Sequence, residues 1–174
     1  MSTAPRRIAI TGGSGFVGQW LRRRIEETGC DVALPILSRD DQDIRDTQAV
    51  SEAVRSARPD VLIHLAAIAA PLQAREAPAE AWNVNVLGTL NLATAITRDA
   101  PDARLLFIGS SEAYGAAFTR TEDPVEEDAT LEPRGVYGST KAVADLIGGQ
   151  LVRAGLKVLR LRPFNHTGPG QSSD

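Results

Sequence analysis

The chain has 174 residues, 43% of them apolar, with 19 basic and 22 acidic side chains, a formal net charge of −3 and a pI near 5.4. That apolar share can fill one sizeable core and argues for a single domain, and the slight acidity offers no basic face for a nucleic acid. A lone cysteine, Cys30, excludes an internal disulfide and reads as a small buried or half-buried side chain beside a turn. The longest apolar run, VLIHLAAIAA, is broken by His64 and falls short of the roughly 20 residues a membrane helix needs, so no membrane partner is expected. The opening MSTAPRRIAI has too little apolar length for a secretory signal, which places the expected setting in the cytoplasm.

Short runs rich in Val, Ile and Leu alternate with segments of helical period, the pattern of an α/β fold with a parallel sheet flanked by helices. The first strand is predicted over residues 6–11 (RRIAIT) and the first helix over 16–28, joined by AITGGSGFVGQWL. Gly12, Gly15 and Gly18 lie in that joint at GxxGxxG spacing. Glycine there lets the backbone turn sharply and brings bare N–H groups within contact of a pyrophosphate, while the following helix aims its positive end at the phosphates. A tight strand-to-helix turn without a ligand would use glycines too, but their place after the domain's opening strand favours a dinucleotide site.

A second strand over 31–37 ends in LSRDDQDIRD. Ser38 and Arg39 come first at its tip and suit a ribose 2′-phosphate, which leans the cofactor toward NADP(H); Asp40 and Asp41 just after them leave NAD(H) open. Asp43 and Ile44 sit where an adenine could lie or where a helix simply begins, and Asp46 or Thr47 can cap the helix predicted over 46–57. A third strand over 60–66, a helix over 82–99 and a fourth strand over 103–110 follow, with Pro59 and Pro101 in the joints. The fourth strand delivers Ser110, Ser111 and Glu112 to the carboxyl edge of the sheet, where open α/β sheets bind ligands. Residues 119–133, acidic and with two prolines, read as a surface loop.

The last helix, predicted over 136–153, carries GVYGSTK. Tyr137 and Lys141 stand four residues apart and share a face, and Lys141 is one of only two lysines in the chain. An ammonium beside a phenol is expected to draw its pKa down from about 10 and make it a usable acid and base. A compact ammonium also reaches ribose hydroxyls past the tyrosine more readily than a broad guanidinium. Ala144 and Gly148 continue that stripe, and Val143, Leu146, Ile147 and Leu151 are expected to make the core contact on another face. The Gly148–Gly149 pair implies close packing or a kink. A final strand is predicted over 156–162.

Taken in order, TGGSGFVG, HLAA, NVLGT, SSEAYG, YGSTK and RPFNHTGPGQ resemble the extended short-chain dehydrogenases/reductases, the family of nucleotide-sugar epimerases, dehydratases and ketoreductases. The resemblance implies a Rossmann-like doubly wound parallel sheet. It implies that Gly12, Gly15 and Gly18, with the amides of Phe16 and Val17, cradle the pyrophosphate. Asp43 and Ile44 would border the adenine, Leu65, Ala66 and Ala67 would line the cleft, Pro163 and Phe164 would border the nicotinamide, and Asn165 would reach the sugar nucleotide. Asn85 would be a structural or cofactor-side residue, and His166 a loop residue supporting Asn165. Ser110, Tyr137 and Lys141 match the catalytic positions, with Ser111 and Glu112 on the substrate side.

RPFNHTGPGQ is most similar to the ketoreductases of GDP-linked 6-deoxyhexoses, which implies reduction of a 4-keto group on a GDP-sugar. Glu112 matches a glutamate of the 4,6-dehydratases and keeps that activity, or a 4-epimerase, as the alternative. A non-catalytic dinucleotide-binding module is the rival from another class. Members of this family continue into a smaller C-terminal substrate lobe that is missing from this chain, so residues 1–174 are expected to be the NAD(P)-binding domain of a longer enzyme. A homodimer through helices near 82–99 and 136–153 is expected by the same resemblance.

Overall fold

The computed structural model describes residues 7–28, 32–35, 43–120 and 122–171. Five short strands, β1 (Ile8–Thr11), β2 (Val32–Pro35), β3 (Val61–His64), β4 (Arg104–Ile108) and β5 (Lys157–Leu161), pair in parallel in the order β2-β1-β3-β4-β5. They coincide with the five predicted strands, trimmed at their ends. Strand order reverses at β1, whose neighbours are β2 and β3, so a crevice opens beyond their carboxyl ends.

Helices α1 (Phe16–Glu27), α2 (Thr47–Ala57) and α6 (Gly135–Arg153) match predicted ones, whereas the helix predicted over 82–99 keeps the α form only in α5 (Thr89–Asp99). Asp46 caps α2, its carboxylate accepting from the amides of Gln48 at 2.9 Å and Ala49 at 3.1 Å. Two short helices, α3 (Pro71–Glu76) and α4 (Pro78–Trp82), were not foreseen, although each starts with a proline in its first turn, a recognised opening signal. A π-helical turn, Asn83–Gly88, joins α4 to α5.

Pleating sends alternate residues of each strand to opposite faces. Ala9, Leu62, Leu105 and Phe107 meet α2, α5 and α6 in the larger core, and Ile10 and Ile63 meet Ile25 and Leu21 of α1 in the smaller one. Helices on both faces make the sheet doubly wound. On the α1 face, Leu159 and Leu161 pair in register with Leu106 and Ile108 but remain exposed. Among the described residues no helix is long and apolar enough to cross a membrane.

Helix α6 corrects one expectation. Leu146 is 55% exposed, whereas Leu151 lies in the larger core with Ile147 packed against it, and the buried side of the helix is otherwise made of small or polar residues, Ala142, Ala144, Asp145, Gly148 and Gly149. Small residues face inward because the helix lies close: a Cβ on Gly148 would stand 3.0 Å from the Arg160 side chain. Close packing is therefore the answer to the double glycine. Asp145, only 1% exposed, receives Arg160 at 2.6 Å and Arg162 at 2.8 Å, and Arg162 continues to the Tyr114 hydroxyl and the Glu127 carbonyl. Removing the carboxylate leaves two guanidinium groups without their shared partner. Asp145→Ala should lower unfolding stability by roughly 3 kcal/mol, read from urea denaturation, whereas Leu146→Ala should change it little.

Candidate active site

The crevice between β1 and β3 begins with Gly12, which has φ +70°. A Cβ there would lie 2.7 Å from the Ala66 nitrogen, so the turn rests directly on the Leu65–Ala66 backbone. Gly15 closes the turn onto the Gly12 carbonyl at 3.1 Å and precedes α1 without any side-chain cap. The amides of Phe16, Val17 and Gly18 therefore stand at the positive end of a twelve-residue helix with no intrahelical acceptor. A Cβ on Gly18 would come 2.5 Å from the Gly12 carbonyl. Bare backbone, an uncapped helix end and a close-lying second strand fit a dinucleotide's diphosphate. Leu65, Ala66 and Ala67 are half-buried along the crevice wall.

At the adenine end, Ser38 and Arg39 lie outside the described residues, as does Cys30. Asp43 is ion-paired with Arg45. Ile44 is buried in the larger core against Gly88, and its carbonyl accepts from the Asn91 carboxamide at 3.1 Å.

The Tyr137–Lys141 face of α6 reaches the carboxyl end of β4. The Ser110 hydroxyl lies beside Tyr137, close enough to draw on its phenol, and accepts the Glu112 amide at 3.2 Å, capping a 3-10 turn at Ser111–Ala113. Lys141, 7% exposed, donates from Nζ to the Ile108 carbonyl at 3.1 Å, and burial pulls its pKa down to about 8. The expected lowering of the phenol does not occur here. Burial raises the Tyr137 pKa, the Ser110 hydrogen bond offsets this in part, and the nearby Glu112 charge raises it further. The ammonium meanwhile is turned to a carbonyl. Gly138, unremarked in the sequence, makes the approach feasible, since a Cβ there would stand 2.8 Å from the Glu112 carbonyl.

Ser111 is buried and its amide bonds the Pro163 carbonyl at 3.0 Å, whereas Glu112 is exposed. Pro163 is half-buried, and Phe164 and Asn165 are exposed. The Phe164 ring lies 5.6 Å from Phe118, itself 5.6 Å from Tyr114. His166 stacks on Phe16 at 6.4 Å, and Trp20 donates to the Pro169 carbonyl at 2.8 Å, holding this segment beside the first turns of α1. The structure thus gathers the glycine turn, the β3 end, Ser110, Tyr137 and Lys141 along one edge of the sheet.

Sequence reasoning gave no role to the histidine behind that edge. His64, at the end of β3, is buried between the Thr11 hydroxyl at 2.7 Å and the Thr89 hydroxyl at 3.0 Å. Burial, with the Lys141 charge second, lowers its pKa to about 3. The available signal was a histidine inside an apolar strand, which must find partners when buried.

The family described as NAD dependent epimerase/dehydratase matches residues 8–174. The GDP-6-deoxy-D-mannose reductase of Pseudomonas aeruginosa is 33% identical over 168 residues, covering 95% of this chain and 54% of that protein. The UDP-glucose 4-epimerase of Lactobacillus helveticus is 30% identical, covering 97% of this chain and 53% of its own. Among solved structures, RMD from Pseudomonas aeruginosa complexed with NADPH superposes with a TM-score of 0.80 at 33% identity, over 96% of this chain and 56% of that one. The Thermus thermophilus UDP-glucose 4-epimerase complex with NAD gives 0.77 at 28% identity, over 90% and 54%. The chain spans about half the length of the curated relatives it matches.

The buried histidine sets a pH dependence. Below the ordinary value of 6.5 the unfolded chain takes up a proton that the folded chain refuses until about pH 3. Stability should therefore fall as pH drops through that window, by up to about 1.4 kcal/mol per pH unit from this group, and be unaffected by it above 6.5. Urea midpoints measured downward from neutral pH should fall less steeply for His64→Gln than for the parent chain.

Proposed function

This chain belongs to the NAD dependent epimerase/dehydratase family, and we propose that it performs NAD(P)H-dependent reduction of the 4-keto group of GDP-4-keto-6-deoxy-D-mannose to GDP-D-rhamnose. In this reading residues 1–174 are the dinucleotide-binding domain of a longer enzyme. The observation that carries it is the gathering of Ser110, Tyr137 and Lys141 at the carboxyl end of β4, with Lys141 Nζ on the Ile108 carbonyl, at the sheet edge that also holds the glycine turn. The exposed Leu159 and Leu161 on the α1 face are a surface that further chain would cover.

When bound, the reduced nicotinamide supplies hydride to the ketone carbon. Tyr137 gives its phenolic proton to the carbonyl oxygen as negative charge gathers there, and Ser110 donates a hydrogen bond to the same oxygen. Lys141 stabilises the phenolate left behind and, released from the Ile108 carbonyl, holds ribose hydroxyls. Gly12, Gly15 and Gly18 with the Phe16 and Val17 amides hold the diphosphate, and Asn165 faces the sugar nucleotide. Arg39 would pair with a 2′-phosphate, which favours NADP(H) over NAD(H), in line with the NADPH complex of the similar Pseudomonas aeruginosa protein.

Reduction starts from a protonated phenol, the form that burial of Tyr137 favours. A 4,6-dehydratase or 4-epimerase begins instead by removing a proton from a hydroxyl. Glu112, an exposed carboxylate near Tyr137, is the observation favouring that second reading. A second copy of the chain is proposed to lie against the helices near 82–99 and 136–153, where Leu87, Leu90 and Leu146 are each about half exposed.

Three outcomes decide among these readings. The full-length enzyme given GDP-4-keto-6-deoxy-D-mannose should consume NADPH stoichiometrically; conversion of GDP-mannose without net consumption would indicate dehydratase or epimerase chemistry, and cofactor binding without turnover of either sugar a non-catalytic module. Tyr137→Phe should cut kcat at least about a hundredfold with the Kd for NADPH nearly unchanged, and a near-normal rate would refute the assigned role. Leu90→Glu combined with Leu146→Glu should shift the sedimentation coefficient from dimer to monomer.

A further inference from the structure

Behind the crevice runs an unbroken line of buried hydrogen bonds whose proton positions are determined by counting donors. The Thr89 hydroxyl donates to the Asn85 carbonyl at 2.6 Å, one turn back on its own helix. Its single proton is thereby used, so the 3.0 Å contact with His64 Nε2 requires the proton to sit on that nitrogen. A neutral imidazole has only one N–H, which leaves Nδ1 bare. Thr11 therefore donates to Nδ1 at 2.7 Å while its oxygen accepts the Ala66 amide at 3.2 Å. From the Ala66 amide to the Asn85 carbonyl every donor points the same way.

Both ends of this line are attached to parts of the candidate site. The Ala66 nitrogen is the atom on which the Gly12 turn rests. Asn85 uses its carboxamide to accept from the Ile68 amide at 2.8 Å and to donate to the Thr140 hydroxyl at 3.0 Å; Thr140 in turn donates to the Tyr137 carbonyl at 2.8 Å. Lys141 is the charge that acts on the imidazole, whose ring lies 5.8 Å from Phe107. A protonated ring would put a second N–H against Thr11, whose oxygen already accepts from Ala66 and whose own proton would lose its acceptor.

We propose that His64 is a positioning residue for the dinucleotide: as the neutral Nε2–H tautomer it spaces the glycine turn from the β3 end and joins both to the Tyr137–Lys141 segment of α6 through Thr89, Asn85 and Thr140. The inference rests on the cofactor reading given above. It assigns the histidine no contact with cofactor or substrate. Its effect is on the width of the crevice and on its alignment with the phenol.

The test combines nitrogen NMR of histidine-labelled chain with NADPH titration followed by fluorescence. The δ1 nitrogen of His64 should resonate as an unprotonated, pyridine-type nitrogen and the ε2 nitrogen as N–H, unchanged between about pH 5 and 8. His64→Leu, which leaves the Thr11 hydroxyl without its acceptor, should raise the Kd for NADPH about tenfold, and His64→Gln, with both an acceptor and a donor, should restore most of that loss. Because His64→Leu can fail to fold, Thr89→Val and Thr89→Ser form a second pair that keeps the imidazole: the valine should weaken NADPH binding and the serine should not. A proton on Nδ1, or parental NADPH affinity in folded His64→Leu and Thr89→Val, overturns the proposal while the cofactor reading stands. Failure of the parent chain to bind either NADPH or NADH overturns the cofactor reading and this role with it, whatever tautomer the ring shows.

Discussion

The Lys141 ammonium donates to the Ile108 carbonyl across 3.1 Å, and that contact requires helix α6 to lie unusually close to the end of β4. The rest of the site depends on this approach. Ala144 and Gly148 leave no bulk between helix and sheet, and Gly138 lets the helix pass the Glu112 carbonyl where any β-carbon would collide. Only with α6 seated at that depth do Tyr137 and Ser110 come together. A larger side chain at any of these positions would lift the helix and separate the pair, even though none of them has chemistry of its own.

Seating an amine in such a place has an electrostatic consequence. Burial lowers the Lys141 pKa to about 8, and the carbonyl dipole of Ile108 partly replaces the water it loses. The same burial raises the phenol's pKa, so the ligand-free pair rests with both protons in place near neutrality. One turn further along the helix, Asp145 gathers Arg160 and Arg162 and fixes α6 to β5, and Arg162 also reaches Tyr114 and the Glu127 carbonyl. The helix is thus held at two depths by two different charges, a cation against β4 and an anion against β5.

The crevice wall is built on another principle. Its polar atoms are neutral and each satisfies the next, from Ala66 through Thr11, His64 and Thr89 to Asn85. Neutral hydrogen bonds in a low dielectric are strong when complete and costly when one member is lost, so this line resists adjustment. A rigid wall beside a helix set by ion pairs is a suitable arrangement for holding a long, flexible dinucleotide in one register.

Much of this was legible beforehand. Alternating apolar runs and helical periods determined the parallel α/β sheet, glycine spacing marked the turn after β1, and the interval of four residues between Tyr137 and Lys141 put them on one face. Periodicity says which residues share a face but not what that face will meet, so the expected core set of α6 holds only in part: Ile147 and Leu151 reach the core, whereas Leu146 is exposed. Nor could spacing indicate the protonation of Tyr137, which follows from burial and from where the Lys141 ammonium turns, both properties of packed chains. Helices α3 and α4 were missed although Pro71 and Pro78 announced them. His64 could be seen only as a polar interruption, because Thr11 and Thr89 lie far from it in the chain and meet it only once β1, β3 and α5 have packed.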